Sequence, residues 1–437
     1  MFQRKEPIFC SVLALMIAVT LLSSSLVSAN LTSEETVVVI QETSNTSIIL
    51  MIGDGMGFEH LELANLVEYG LTDNLTLEKL PYYASVRTAD YENQITDSTS
   101  AATAMATGYK TRDGYLGINA NEEEVENIVE IAQKLGKSTG IVVTSPVYKA
   151  TPAGFMIHGD IEYKYDEITD QIVESNVDLL FGGGSDYFTT EKIDILLNYG
   201  YNLTYTRDEF LTLSSCKLVG LFDGGQLPDE RYRNTTLVPS LTEMTIKALE
   251  MLSTDEDGFF LMIEGSQIDW GAHENDVVYT ALEAIAFDYA VEVAYEYVQT
   301  HEDTILIVTA DHETAGLDIV SNTLDDMLPM ELGTEEEILN QRIARANDIN
   351  VTWEQSRHTS RHVPLFIDGE AFNDIEKGIL IENTDIFNIM NQTFYGLPIS
   401  ITDITPTTPE ESSFQVWTIL IPLFIVPVFL VLKKRKY

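Results

Sequence analysis

Three apolar runs in this sequence end in an acidic residue: Ile48-Ile-Leu-Met-Ile-Gly leads to Asp54, Phe259-Phe-Leu-Met-Ile to Glu264, and Ile305-Leu-Ile-Val-Thr-Ala to Asp311. Continuous apolar runs of this length are the pattern of buried strands, and in open α/β sheets ligands bind beyond the carboxyl ends of the strands. The three carboxylates should therefore converge on one crevice, an arrangement that is strongly destabilising without compensating cations. The nearby residues supply histidine rather than arginine or lysine: His273 follows Asp269 by four positions, His312 adjoins Asp311, and His358 lies further on. Asp269 and His273, four apart, share one side of a helical turn. Taken singly, each of these is an ordinary cap or turn residue. As a set of carboxylates and imidazoles, they suit zinc and similar divalent ions.

A candidate nucleophile, Ser98, sits within Thr96-Asp-Ser-Thr-Ser-Ala-Ala-Thr-Ala104. The segment reads as a cap followed by a helix of small residues, and a serine at a helix N-terminus stands where backbone N–H groups and the helix dipole hold a phosphate. Gly182-Gly183-Gly184 also follows an apolar run, but it lacks the Lys and Ser/Thr of a phosphate-binding loop and is read as a turn.

The elements that must position these groups alternate. Ser47 to Ile52, Gly140 to Val143, Val177 to Phe181, Gly258 to Ile263 and Thr304 to Thr309 are continuously apolar and predict strands. Helical spacing appears in Val125 to Leu135, Leu241 to Leu252 and Val277 to Val298. Alternation of this kind predicts a three-layer α/β sandwich, with a mostly parallel central sheet and helices on both faces. The acidic stretch from about Val320 to Asn350 carries no strand signal and is placed as a small insertion outside the sheet.

With 437 residues, 45% of them apolar, the chain can bury a large core without covalent staples. Its two cysteines offer none in any case: Cys10 falls in the N-terminal apolar segment, which leaves Cys216 to be read as a buried small hydrophobe. A formal net charge of −44 excludes a nucleic-acid backbone as partner, because phosphates would be repelled. An anionic substrate must then be attracted locally, and bound metal ions are how an acidic protein does this.

Both ends carry targeting signals. Arg4 and Lys5, an apolar stretch from Ile8 to Leu22 and the small residues ending at Ala29 have the layout of a secretory signal peptide, residues 1–29. A domain over 30–401 and an extended Thr/Pro/Glu/Ser stalk over 402–413 lead to an uncharged segment, Phe414 to Leu432, long enough to cross a bilayer as a helix. Lys433, Lys434, Arg435 and Lys436 follow, so the tail 433–437 is expected in the cytoplasm and the domain at the cell surface. Sequons at Asn30, Asn45, Asn74, Asn202, Asn234, Asn350 and Asn391 fit a glycosylated exterior.

The segments Met51-Ile-Gly-Asp-Gly-Met-Gly57, Thr96 to Ala104, Ala150-Thr-Pro-Ala-Gly154, Glu264-Gly-Ser-Gln-Ile-Asp-Trp-Gly-Ala-His273, Thr309-Ala-Asp-His-Glu-Thr314 and His358-Thr359 together resemble the alkaline phosphatase family, in the family's order and across nearly the whole exterior domain. The resemblance implies hydrolysis of small phosphate monoesters through phosphorylation of Ser98. It also implies a zinc ion held by Asp54, Asp311 and His312, a second zinc held by Asp269, His273 and His358, and a magnesium held by Asp54, Thr151 and Glu264. A homodimer is left open.

Three positions depart from the pattern. Glu162, four residues after His158, stands where the family has an arginine that grips two phosphoryl oxygens; Lys164, Arg112 or Lys149 could contribute a cation in its place. Ser360 replaces a glycine after His358-Thr359, with His362 nearby read as a surface residue. Lys149 stands two before Thr151, where relatives have an acidic residue or a histidine. The alternatives kept open are a phosphodiesterase or sulfatase of the same superfamily, and a surface glycoprotein that retains the fold without catalysis.

Overall fold

The apolar runs form strands, and the computed structural model describes them within residues 44–404, except 234–236, 321–329 and 374. Ser47–Gly53 is buried at every position, as is Phe259–Gly265. A strand buried on both sides of its pleat must be covered on both faces, which is why these runs do not alternate with polar residues. They lie in a ten-stranded sheet whose spatial order is Leu380–Glu382, Tyr82–Arg87, Val363–Asp368, Thr304–Thr309, Ser47–Gly53, Phe259–Gly265, Ser138–Pro146, Leu179–Gly183, Leu218–Leu221 and Asn202–Thr204. Val363–Asp368 is antiparallel to both neighbours, and the other pairings are parallel. The fold is thus the mixed, mostly parallel α/β sheet that the alternation predicts, with helices packed on both sides.

Helix Val277–Val298 starts at Asp276, whose carboxylate accepts from the backbone N–H groups of Val278 and Tyr279. It packs against helices Gln267–His273, Leu241–Leu252 and Phe58–Tyr69 as well as the sheet, so it is apolar around most of its girth. Each fully buried large side chain, Phe287 among them, contributes about 1.5–3 kcal/mol. The helix expected over Val125 to Leu135 is shorter, Ile128–Lys134, because Asn127 and Glu130 form a reciprocal capping box that starts it late.

The described residues between Val320 and Asn350 lie outside the ten-stranded sheet but are not without structure. They contain a helix, Glu335–Asp348, opened by a Thr334/Glu337 capping box and held to helix Phe58–Tyr69 by Arg342, which donates to both carboxylate oxygens of Glu68 at 2.5 and 2.7 Å. Cys216 corrects another expectation: it is exposed just before strand Leu218–Leu221, not buried, and it is not a free thiol. Among the described residues no helix is long and apolar enough to cross a membrane. The signal segment 1–29, the stalk beyond residue 404 and the span Phe414 to Leu432 lie outside the described residues.

Candidate active site

Three neighbouring parallel strands deliver the carboxylates. Register pairs Ile52 with both Glu264 and Thr309, so Asp54, Glu264 and Asp311 emerge side by side at one edge of the sheet. Between them the chain turns at Gly55, with φ +72°, and a β-carbon there would stand 2.8 Å from the Asp269 α-carbon. Glycine therefore permits both the turn and the close approach of helix Gln267–His273. The Gly55 N–H donates to Asp311 Oδ1 at 3.0 Å, as does the N–H of His312 at 2.9 Å. Asp54 Oδ1, Glu264 Oε2 and Asp311 Oδ2 are buried with no hydrogen-bond donor among the described residues.

His312 turns toward these oxygens and His273 and His358 toward Asp269, and the outer nitrogens of the latter two say how. His358 Nδ1 lies 3.0 Å from the Thr96 carbonyl and His273 Nδ1 2.8 Å from the Ser356 carbonyl. Each Nδ1 therefore carries a proton, and each neutral ring presents its Nε2 lone pair. Those two Nε2 atoms face each other at 3.2 Å, with Asp269 oxygens 3.3 Å from His273 and 3.7 Å from His358. Two lone pairs at that distance need a proton or a metal ion between them. His312 Nε2 stands 3.2 Å from Asp311 Oδ2 and 3.6 Å from Asp54 Oδ1, and its ring stacks on His358 with centroids 3.5 Å apart. Two sets, Asp54 with Asp311 and His312, and Asp269 with His312 and His358, bring their ligand atoms within 4.8 Å of one another, a spacing a divalent ion can span.

With protein charges alone the cluster is badly matched. Burial pushes Glu264 up to about 8, Asp311 up to about 6 and Asp54 well above the usual carboxylate range. Burial likewise drives His312 well below the usual imidazole value. Burial opposes ionisation of Asp269 too, but hydrogen bonding to His273 and the three imidazole charges hold it down at about 2, while the same contact raises His273 to about 9. Orphaned carboxylate oxygens beside converging lone pairs are a donor set that fits divalent cations.

Ser98 opens helix Ser98–Thr107. The Asp97 carboxylate caps it, accepting from the Ser100 N–H at 2.8 Å and from the Gly114 N–H at 2.9 Å. Ser98 Oγ lies 3.1 Å from His312 Nε2, at the wall of a cleft of about 200 Å³ that also includes Asp54, Thr151, Glu264, Asp269, His273 and His358. Thr151 is buried in the short helix Ala150–Gly154, with its side chain against Glu264. Seven of the nine residues singled out in the sequence line this cleft, and the other two adjoin them: His312 reaches Ser98 and Asp54, and Asp311 reaches His312.

Comparison with known proteins agrees with this geometry. The family profile described as alkaline phosphatase matches residues 45–332. The chain belongs to the alkaline phosphatase family. Alkaline phosphatase 4 of Bacillus subtilis (strain 168) is 35% identical over 291 residues, and the match spans 63% of this chain and 63% of that relative's length. The cold-active alkaline phosphatase of Shewanella sp. superposes with a TM-score of 0.70 at 28% identity, covering 79% of this chain and 99% of that one. A variant of the TAB5 alkaline phosphatase, solved with Mg bound in its M3 site, superposes with a TM-score of 0.66 at 28% identity, covering 81% of this chain and 99% of that one.

Against that family pattern, Glu162 lines the cleft where an arginine was expected. Of the replacement cations considered, Arg112 is engaged by Glu92 and the Ala120 carbonyl, and Lys164 by the Asp160 carbonyl, both away from the cleft; Lys149 lines it. His362 is exposed, as expected. One residue escaped the sequence reading: Thr314, whose hydroxyl donates to Asp269 Oδ1 at 2.5 Å and lies 3.3 Å from His312 Nδ1. Its signal was its place two residues after His312, since alternate residues of extended chain share a side. Glu313 points the other way and accepts from the Thr359 hydroxyl and the Gly316 N–H, tying the His312 and His358 segments together.

Proposed function

We propose that this chain is a phosphomonoesterase of the alkaline phosphatase type, acting through a phosphoserine at Ser98 and displayed outside the cell by a C-terminal membrane anchor. The observation that carries the reading is the 3.1 Å approach of Ser98 Oγ to His312 Nε2 beside buried carboxylates that lack donors. Asp54, Asp311 and His312 would hold one zinc ion, Asp269, His273 and His358 a second, and Asp54, Thr151 and Glu264 a magnesium; that a TAB5 mutant binds Mg in its M3 site supports a magnesium here. Such ions supply positive charge at the entering and departing oxygens and lower the pKa of bound hydroxyl groups.

The chain's own groups do the rest. Ser98 Oγ forms a bond to phosphorus as the bond to the alcohol breaks, and water then cleaves the serine ester to return phosphate and the free hydroxyl. Asp97 keeps the first turn intact, so the backbone N–H groups around Ser98 stay aimed at the phosphoryl oxygens. The Thr96 carbonyl holds His358 in the tautomer that offers Nε2.

The test uses the full chain, purified in detergent with zinc and magnesium. It should release phosphate from 4-nitrophenyl phosphate, lose that activity to a chelator, turn over a matching diester much more slowly, and be silenced by Ser98→Ala. Chelator-insensitive turnover, or none at all, sinks the reading, and faster diester turnover reassigns the substrate.

A further inference from the structure

The cleft beside Ser98 is lined by five carboxylates, those of Asp54, Asp97, Glu162, Glu264 and Asp269, by the imidazoles of His273 and His358, which belong to the cation-binding cluster, and, among the described residues, by a single lysine or arginine, Lys149. The oxygens of Asp54, Glu264 and Asp269 belong to the cation-binding cluster, and Asp97 is occupied by the Ser100 and Gly114 N–H groups. Glu162 lies outside that cluster: it interacts with the Tyr163 hydroxyl, adds to the negative field of Asp97 and Asp113, and is attracted by the Lys149 ammonium. A phosphoryl dianion entering here meets repulsion that the cluster and the N–H groups of the Ser98 helix start must offset, and Lys149 is the side chain placed to add to them.

Lys149 is built to do so. Its backbone is pinned on both sides, the N–H donating to the Pro146 carbonyl at 2.9 Å and the carbonyl accepting from the Ala153 N–H at 2.9 Å. The side chain runs past Tyr165, donating to the phenol oxygen at 3.1 Å with Nζ 5.2 Å from the ring centroid. That contact uses one of three ammonium protons and orders the chain without neutralising it. Lys192, by contrast, has carboxylates of Asp166 and Asp170 within ion-pair distance.

Resting on the phosphatase reading, we propose that Lys149 is the phosphate-binding residue of this cleft, donating to the phosphoryl oxygens, and that Glu162 weakens the grip by sharing its field. The test measures binding of inorganic phosphate by calorimetry to the full chain in the Ser98→Ala background, with bound zinc and magnesium assayed on each sample. Lys149→Gln should weaken phosphate binding about 10- to 100-fold, the worth of a hydrogen bond to a charged group. Lys149→Arg should recover most of that loss, and Glu162→Gln should shift affinity the opposite way, tightening it several-fold. With Ser98 restored, Lys149→Gln should raise KM for the aryl monoester more than it lowers kcat.

Phosphate affinity within twofold of the parent in Lys149→Gln, at unchanged metal content, overturns the proposal. Loss of metal in that variant overturns it too, because Lys149 would then act through the ions. A chain that binds phosphate through Lys149 but hydrolyses no monoester leaves this inference standing and removes only the phosphatase reading.

Discussion

His312 Nε2 lies 3.1 Å from Ser98 Oγ, although 214 residues separate them in the chain. The same nitrogen is 3.2 Å from Asp311 and 3.6 Å from Asp54, so one imidazole joins the hydroxyl to the carboxylates. His312→Ala should lower both zinc content and kcat/KM by more than the about 10- to 100-fold that losing an outer hydrogen-bond partner costs. Metal analysis alongside steady-state kinetics measures both, and a variant with full zinc and near-normal turnover would remove His312 from the centre.

Thr314→Val keeps the side-chain shape but removes the hydroxyl that donates to Asp269 and faces His312 Nδ1. Metal affinity should fall about 10- to 100-fold, with little loss of activity at saturating zinc. Titration against a chelator of known strength reads the first effect and zinc-saturated kinetics the second. Unchanged affinity shows the contact to be structural only.

Metal removal should have a pH signature. Burial raises Glu264 to about 8 and Asp311 to about 6, so with the ions stripped these groups hold protons that a metal must displace. Apparent zinc affinity should therefore climb from pH 6 to 8. The sign for stability follows from the same shifts: folded-state values raised above the unfolded ones stabilise fully below about pH 4, and that contribution is lost as pH rises through 6 and then 8. The gap in Tm between metal-loaded and chelated protein should widen over this range, whereas a constant gap would remove these carboxylates from the metal set.

Asp288 tests linkage away from the site. Burial pushes its carboxyl up to about 6, although the N–H groups of Thr76 and Leu77 donate to it at 2.9 and 3.0 Å. Because the folded value is raised, its contribution is full below the unfolded value of about 4 and fades as pH rises through 6. Relative to Asp288→Asn, which cannot titrate, the parent should lose up to about 3 kcal/mol between pH 4 and 7. Urea midpoints for both proteins across that window measure the difference, and parallel pH curves would refute it.

What the sequence determined by itself was the set of local patterns. The runs ending at Asp54, Glu264 and Asp311 are almost wholly apolar because the central strands are buried at every position, and that alone places three carboxylates at one rim. Ser98 was legible because a capping residue followed by small side chains is written in adjacent letters. Adjacent letters could not reveal which atoms meet across 85 or 214 residues, as His273 with His358 and Ser98 with His312 do, nor that Thr314 bridges Asp269 and His312. Nor could they show that Cys216 faces solvent, or that Lys149 rather than Arg112 or Lys164 reaches the cleft. Tertiary packing decided these matters, because the direction of a side chain depends on which neighbours crowd or hold it, and those neighbours come from distant parts of the chain.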